Sequence, residues 1–101
     1  MQFDLVSVSK KANVYFDGKC ISHTVTLADG TRKSVGVILP STLRFDLSTK
    51  EIMEVVDGTA FVAINGRPEL TYTTGQIWEV EAGGYFEIRV EAPLHYVCHF
   101  G

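Results

Sequence analysis

The 101-residue sequence lacks several features that would place it in a specialised class. It has no apolar run near the roughly 18 residues that a membrane-spanning helix needs, and its N-terminus has no basic start followed by an apolar stretch. We therefore expect a cytoplasmic protein without a membrane partner. Basic residues are few: 9 Lys and Arg against 12 Asp and Glu give a net charge of -3. This balance argues against a nucleic-acid partner, which would require a clustered basic face.

Cysteine is also scarce, with only Cys20 and Cys98. The two lie far apart in strand-like runs, without the close spacing of metal-binding cysteines and without a secretory context. We expect two reduced, mostly buried thiols.

The sequence is otherwise rich in apolar residues, 46% against 21% charged, which predicts one globular domain over residues 1–101. Turn pairs such as Asp17-Gly18, Asp29-Gly30 and Asn65-Gly66 recur between short runs rich in Val, Ile, Thr, Phe and Tyr. This pattern is typical of strands joined by hairpins, and it predicts an all-β fold: a small antiparallel β-barrel or jelly roll of about eight or nine strands. Any helix should be at most a turn or two, near Ser48-Lys50.

Alternation within the runs predicts their two faces, since successive residues of a strand point to opposite sides. Phe86, Ile88 and Val90 share one face, which we assign to the core. In the run that starts at Ile21, the apolar residues and His23 share one face, and three hydroxyl residues share the other. We expect His23 to be a core or rim histidine rather than a catalyst.

The spacing around Glu51 resembles a signature of the cupin superfamily. Six residues separate Glu51 from Gly58, and a later stretch runs from Gly75 through five residues to Glu81, Ala82 and Gly83. The positions where cupins carry metal-binding histidines hold Phe45, Leu47 and Phe86, so Glu51 is the one ligand type that survives. A single carboxylate cannot hold a transition metal tightly, and the resemblance therefore implies a cupin barrel without a metal.

Four longer stretches resemble the pyrimidine/purine nucleoside phosphorylase family of small single-domain cupins. They are "NVYFDGK" from Asn13, "KSVGVILP" from Lys33, "EIMEVVDG" from Glu51 and "YVCHF" from Tyr96. The resemblance implies a pentosyltransferase that phosphorolyses purine and pyrimidine nucleosides to free base and pentose 1-phosphate. Inorganic phosphate would be the co-substrate, with no metal or organic cofactor. Residues 1–12 would be an extension relative to the family, and "EAGGY", with its Gly83-Gly84 pair, departs from the family pattern.

That chemistry assigns roles to particular residues. Glu51 would be catalytic, because a carboxylate can steady the sugar as positive charge develops on it; a structural Glu tied to backbone or arginine is the alternative. Lys33 and Arg44 are the phosphate candidates, although each fits equally a solvated charge at a strand end. Arg89 shares a face with Glu87 and Glu91, which indicates a surface charge ladder.

The substrate contacts come from aromatic residues. Phe45, Phe86 and Trp78 could line a pocket for a nucleobase or could simply be core, and Tyr96 could donate a hydrogen bond to base or sugar. Cys98 is not expected to be a nucleophile, because no basic partner is placed beside it by sequence. Glu54 has the opposite strand parity to Glu51, so we expect it on the outer face.

Two other functions fit the same sequence. One is a non-catalytic cupin that binds a nucleoside or sugar, and the other is a structural barrel whose faces mediate oligomerisation. Several strands are apolar on both sides, which favours a homodimer in any of these cases.

Overall fold

A computed structural model describes residues 2–100; the predicted domain also includes Met1 and Gly101, which lie outside the described residues. Within this range the chain forms strands with one short 3₁₀ turn. The strands are β1 (Ser7–Val8), β2 (Asn13–Tyr15), β3 (Cys20–Thr26), β4 (Arg32–Ile38), β5 (Ser41–Asp46), β6 (Glu51–Asp57), β7 (Thr59–Ile64), β8 (Leu70–Thr73), β9 (Ile77–Val80), β10 (Tyr85–Val90) and β11 (Leu94–Phe100).

The strands pair into two sheets in which every neighbour is antiparallel. The larger sheet has the order β1-β3-β4-β11-β6-β9, with β2 also paired to β3, and the smaller has the order β5-β10-β7-β8. The prediction of an all-β, antiparallel fold is confirmed. The strand pairing gives two separate sheets rather than one continuous ladder.

The core lies between the inner faces of the two sheets. Phe86, Ile88 and Val90 of β10 are all buried, as their alternation predicts. They meet Val55 of β6 and Leu94 of β11 from the larger sheet. Burying such apolar side chains is the main stabilising term for a domain of this size.

The 3₁₀ turn spans Phe16–Gly18, between β2 and β3. The helical turn expected near Ser48-Lys50 is wrong, since that stretch is a bend between β5 and β6. Asp17-Gly18 makes the tighter turn because both residues adopt positive φ, which glycine accepts freely and aspartate more readily than most residues.

A β-bulge interrupts the pairing of β6 with β11. His95 pairs with Asp57, but the next residue, Tyr96, pairs with Val55, so Val56 is one residue more than β11 can match. Beyond the bulge the pairing is regular as far as Phe100 and Glu51. The bulge therefore sets which side chains of β6 share a face with those of β11.

Two further expectations concern the cysteines and the membrane. Cys20 and Cys98 are both free and buried, as predicted. Among residues 2–100, no helix has the length and apolar character needed to cross a bilayer.

Candidate functional site

A cavity of about 760 Å³ opens between the two sheets beside the core. Pockets that bind small molecules are typically 300–1,000 Å³, so this one is large enough for a nucleoside-sized ligand. One wall is polar and belongs to the larger sheet, and the other is aromatic. The lining residues are Asn13, Val14, Tyr15, Phe16, Ser22, Thr24, Ser34, Arg44, Phe45, Asp46, Glu51, Met53, Phe86, Tyr96, Cys98 and Phe100.

The polar wall follows from strand register. Asn13 pairs with Ser22, and Thr24 pairs with Ser34, across neighbouring strands of the larger sheet. Directly paired residues point to the same face, so these side chains form one patch of hydroxyl and amide groups. The Asn13 amide Nδ2 donates to Ser22 Oγ and to Thr24 Oγ1, each at 3.3 Å. The patch presents several neutral donors and acceptors to the cavity.

Glu51 lies on the same face, at the start of β6. It is half-buried, and burial raises the pKa of its carboxyl above the ordinary value, an effect partly offset by a hydrogen bond from the Cys98 thiol. Among the described residues no basic side chain pairs with Glu51. Its carboxyl therefore lines the cavity without a neutralising cation, unlike the structural glutamate that was the alternative interpretation.

Cys98 lies between Glu51 and Ser34 and hydrogen-bonds with both. Burial and the neighbouring Glu51 charge raise the pKa of this thiol, which keeps it protonated near neutral pH. A protonated thiol is a poor nucleophile. Cys98 thus acts as a donor that orients the Glu51 carboxyl.

Tyr96 directs its hydroxyl towards the same wall. Its Oη lies 3.4 Å from Cys20 Sγ and also hydrogen-bonds with Ser22. Burial raises the pKa of Tyr96 far above its ordinary value, so the phenol stays protonated and can donate. Gly36 makes room for this group, since a Cβ at that position would lie 2.9 Å from the Tyr96 Oη.

The aromatic wall is built from three phenylalanines. Phe45 stacks on Phe86 with ring centroids 5.0 Å apart, and Phe16 meets Phe45 edge-on at 5.2 Å. Trp78 packs behind Phe86 in the core, 5.7 Å away, and does not line the cavity. The wall therefore offers flat apolar surface of the kind that stacks on planar rings.

The 3₁₀ turn forms part of the cavity mouth in a strained conformation. Phe16 has φ of 53°, in the left-handed region that a bulky side chain rarely adopts. Its ring is 42% exposed, so core burial does not explain the strain. Strained backbone of this kind tends to occur at functional sites.

Arg44 lies at the rim next to Phe45. Its Nε and Nη2 donate to Asp46 Oδ1 at 3.2 and 3.1 Å, and its guanidinium lies 3.9 Å above the Tyr85 ring. The side chains of Arg44 and Asp46 are both largely exposed to solvent. Arg44 reaches the cavity, as the sequence predicts, but part of its charge is already matched by Asp46.

Lys33 lies elsewhere, because it points to the opposite face of β4 from Ser34. There its Nζ donates to His99 Nδ1 at 2.8 Å, and His99 Nε2 donates to Glu54 Oε1 at 2.8 Å. This chain of contacts places Glu54 on the outer face, as its parity predicts. His99 is half-buried rather than exposed as a surface histidine would be. Lys33, like Trp78, is a predicted candidate that does not line the cavity.

Arg89, the remaining basic candidate, is tied into surface ion pairs. It pairs with Glu69 at 3.0 Å and with Glu91 at 3.4 Å, and it lies over the Phe61 ring. The charge-ladder interpretation fits these contacts, with Glu69 in addition.

The sequence reasoning missed the hydroxyl patch of Asn13, Ser22, Thr24 and Ser34. Apolar residues were expected to face inward on β3, yet Ser22 and Thr24 face the cavity and Ile21 is 38% exposed. Cys20 carries the signal that would have found them, because a buried cysteine marks the inner face and Ser22 and Thr24 share its parity.

Metal ligands are scarce around the cavity. The cupin histidine positions hold Phe45, Leu47 and Phe86, and across residues 2–100 no three His, Cys, Asp or Glu side chains group closely enough to hold a metal ion.

Comparison with known proteins gives a consistent family match. The family described as "Pyrimidine/purine nucleoside phosphorylase" matches residues 10–100. A protein of that name from Dechloromonas aromatica (strain RCB) is 59% identical over 101 residues, which covers 99% of this chain and 98% of the relative. Another from Thiobacillus denitrificans (strain ATCC 25259 / T1) is 60% identical over 102 residues, with the same coverage.

Solved structures match the fold. A protein of unknown function from Acinetobacter sp. ADP1 superposes with a TM-score of 0.96 at 43% identity, covering 99% of this chain and 98% of that one. An RmlC-like cupin from Shewanella frigidimarina superposes with a TM-score of 0.72 at 11% identity, covering 98% and 86%. The second similarity concerns the fold alone, and it is the cupin similarity that the Glu51 spacing predicts.

Proposed function

Because the chain belongs to the pyrimidine/purine nucleoside phosphorylase family, we propose that its cavity phosphorolyses purine and pyrimidine nucleosides to free base and pentose 1-phosphate. It would thus be a pentosyltransferase with inorganic phosphate as co-substrate and no metal or organic cofactor.

The reaction replaces one bond by another at the anomeric carbon of the sugar. A phosphate oxygen forms the new C–O bond, and the C–N bond to the base breaks with its electron pair passing to the base nitrogen. Monohydrogen phosphate releases its proton as it becomes an ester, and the base nitrogen gains one. The transition state has oxocarbenium character, so positive charge develops on the sugar.

Glu51 is the residue that we assign to this charge. It is the acidic group of the polar wall, and it has no cationic partner among the described residues to compete for it. A carboxylate held in a partly dehydrated cavity stabilises developing positive charge more strongly than it would in water. The Cys98 thiol holds the Glu51 carboxyl in place through its hydrogen bond.

The aromatic wall would take the base. Phe45 and Phe16, with the buried Phe86 stacked behind Phe45, offer ring surface but no hydrogen-bonding groups with which to discriminate one base from another. Acceptance of both purines and pyrimidines follows, because strong discrimination needs polar groups that a wrong base would leave unpaired. On the opposite wall, Tyr96 and the hydroxyl patch would hold the pentose hydroxyls.

One observation carries the proposal: an unpaired Glu51 carboxyl and a stacked phenylalanine pair lie in one cavity of nucleoside size. A non-catalytic protein that binds a nucleoside would use the same rings and hydroxyl patch, and the Glu51 carboxyl would accept hydrogen bonds from the pentose hydroxyls. Turnover is therefore the measurement that separates the two functions.

The test is to incubate purified protein with adenosine, guanosine, inosine, uridine, cytidine, thymidine and xanthosine, with and without phosphate, in the presence of a chelator. We expect base release that requires phosphate, yields pentose 1-phosphate and survives the chelator. Release that needs no phosphate would indicate a hydrolase. Binding of nucleosides without turnover, measured by calorimetry, would favour the non-catalytic cupin.

A further inference from the structure

We propose that Arg32 is the phosphate-binding residue of this cavity, acting with the hydroxyl of Thr24. The inference rests on the proposed function and deepens it, because phosphorolysis needs a cationic group near the attacking phosphate.

Strand register gives Arg32 its direction. It lies two residues before Ser34 on β4 and pairs with Thr26, which is two residues after Thr24 on β3. Residues two apart on a strand point to the same face, and paired residues share that face. Ser34 and Thr24 both line the cavity, so Arg32 leaves the sheet on the cavity side, one row beyond the residues that line the cavity itself.

Arg32 is also available to a ligand. It is exposed, and its guanidinium forms no ion pair with any side chain in the described range. The other basic groups near the cavity are engaged: Arg44 donates twice to Asp46, and Lys33 contacts His99 on the opposite face. A guanidinium is well suited to phosphate, since its fixed donors can bind two oxygens at once.

The position also suits the reaction. Continuing the register of β4 with β11 past Lys33 and His99 places Arg32 opposite Phe100, and Phe100 pairs with Glu51 on the other side. Two strand spacings separate Arg32 from Glu51, about 10 Å between backbones. Phe100 lies between the two on the same face and lines the cavity, so a phosphate would lie on the Arg32 side of its ring and the pentose on the Glu51 side. This separation keeps the carboxylate from repelling the phosphate at close range.

The neutral patch completes the subsite. The Thr24 hydroxyl can donate its hydrogen to a phosphate oxygen that the guanidinium leaves free. Ser34 is buried and its hydroxyl is bonded to Cys98, so it holds the inner side of the subsite in place.

The experiment compares Arg32→Ala with Lys33→Ala, two neighbouring basic residues on opposite faces of one strand. With nucleoside saturating, we expect Arg32→Ala to raise the KM for phosphate about 10- to 100-fold, as expected for the loss of a charge-assisted hydrogen-bonded pair. The KM for nucleoside should stay within about twofold, and Lys33→Ala should match the wild type. Arg32→Lys should recover part of the loss, since it restores the charge without the planar fork. Equal phosphate KM values for Arg32→Ala and Lys33→Ala would overturn the proposal, and so would a parallel rise in both KM values.

A binding measurement separates this inference from the proposed function. Inorganic phosphate is titrated into each protein without nucleoside and followed by ³¹P line broadening. We expect broadening in the wild type and Lys33→Ala but much less in Arg32→Ala. If phosphate binds through Arg32 while no nucleoside is cleaved, the phosphorylase proposal fails and the subsite stands. If nucleosides are cleaved and Arg32→Ala binds phosphate like the wild type, the subsite fails and the phosphorylase stands.

Discussion

Glu51 and Glu54 are three residues apart on one strand but have different surroundings. Glu51 lines the cavity with Cys98 as its donor, and Glu54 bonds to His99 on the outer face. The same substitution at the two sites therefore separates catalysis from structure.

We expect Glu51→Gln to lower kcat by about 100-fold or more, because a neutral amide cannot offset charge on the sugar. Glu54→Gln should leave kcat near the wild-type value. Steady-state kinetics with uridine and inosine will measure both. Similar losses in the two variants would remove Glu51 from the catalytic role.

Glu51→Gln should also change stability, and in a direction set by pH. Burial raises the folded-state pKa of Glu51 above its ordinary value of 4.5, so ionising it costs stability. Below pH 4.5 Glu51 is protonated in both the folded and the unfolded state, so its ionisation contributes no difference in stability between the wild type and the variant. As pH rises through the folded-state pKa, the wild type should lose stability relative to the variant. Thermal unfolding across this range will show the gap opening towards neutral pH; a gap that opens towards acid would contradict it.

Both thiols should be inert in the folded protein. Burial raises the pKa of Cys20 and of Cys98, so little reactive thiolate forms near neutral pH. A chromogenic disulfide reagent should label neither at a useful rate until denaturant is added, when two thiols per chain should react. Fast labelling of the native protein would show that the cavity admits the reagent and leaves a thiol ionised.

At the scale of elements, β4 depends on one position without a side chain. A Cβ on Gly36 would lie 2.5 Å from the Ile21 carbonyl oxygen and 2.8 Å from Ser22 Cβ, as well as crowding Tyr96. The first contact is with backbone and cannot be relieved by a rotamer change.

Gly36→Ala should therefore destabilise the protein by about 1–3 kcal/mol, the usual cost of overpacking. It should also raise the KM for nucleoside by displacing the Tyr96 hydroxyl. Chemical denaturation and kinetics will measure the two effects. A Gly36→Ala variant as stable as the wild type would refute the steric explanation.

How far the sequence predicts the site can be judged strand by strand. The cupin-like spacing from Glu51 to Gly58 is enough to predict that Glu51 faces inward, and alternation is enough to predict which face of β10 is buried. The sequence favours Lys33 as a phosphate candidate, yet Lys33 lies on the outer face, because a charged strand end carries no sign of which face is inward. The answer depends on pairing with β3 and β11, which are distant in sequence. The need for glycine at position 36 likewise comes from contacts with Ile21 and Tyr96. These residues are distant in sequence, so the residues around Gly36 do not predict it.

For the whole molecule, the core between the two sheets contains the one tryptophan of the chain. Trp78 of the larger sheet is 2% exposed and contacts Phe86 and Tyr72 of the smaller sheet. Its fluorescence therefore reports on the packing between the sheets, whereas far-UV circular dichroism reports on the strands themselves.

We expect both signals to change at the same denaturant concentration, as for a small domain that unfolds in one step. The emission should shift to longer wavelength as Trp78 meets water. If the fluorescence changes first, the sheets separate before their strands unfold, and the core does not hold them as one cooperative unit.

The homodimer remains a prediction, and the outer face of the larger sheet is where we expect the second copy. Ile21 lies there and is 38% exposed, whereas its neighbour Val14 also borders the cavity. Lys33, His99 and Glu54 run across the same face, so a two-fold axis near His99 would bring Lys33 of each copy towards Glu54 of the other. Light scattering should give twice the mass of 11.2 kDa, and Ile21→Lys, which leaves the cavity untouched, should give the monomer. A wild type that stays monomeric at the highest concentration tested would count against the pairing.

The bulge at Val56 determines which glutamate of β6 faces the cavity. If the pairing of Asp57 with His95 continued without the extra residue, Tyr96 would face Val56, and Cys98 would face Glu54 in place of Met53. Glu54 would then occupy the cavity face and Glu51 the outer surface, with no change in amino-acid sequence. Strand register therefore determines which of the two glutamates faces the cavity. A redesign that straightened β6 would exchange the two acids, although every residue of the site had been kept.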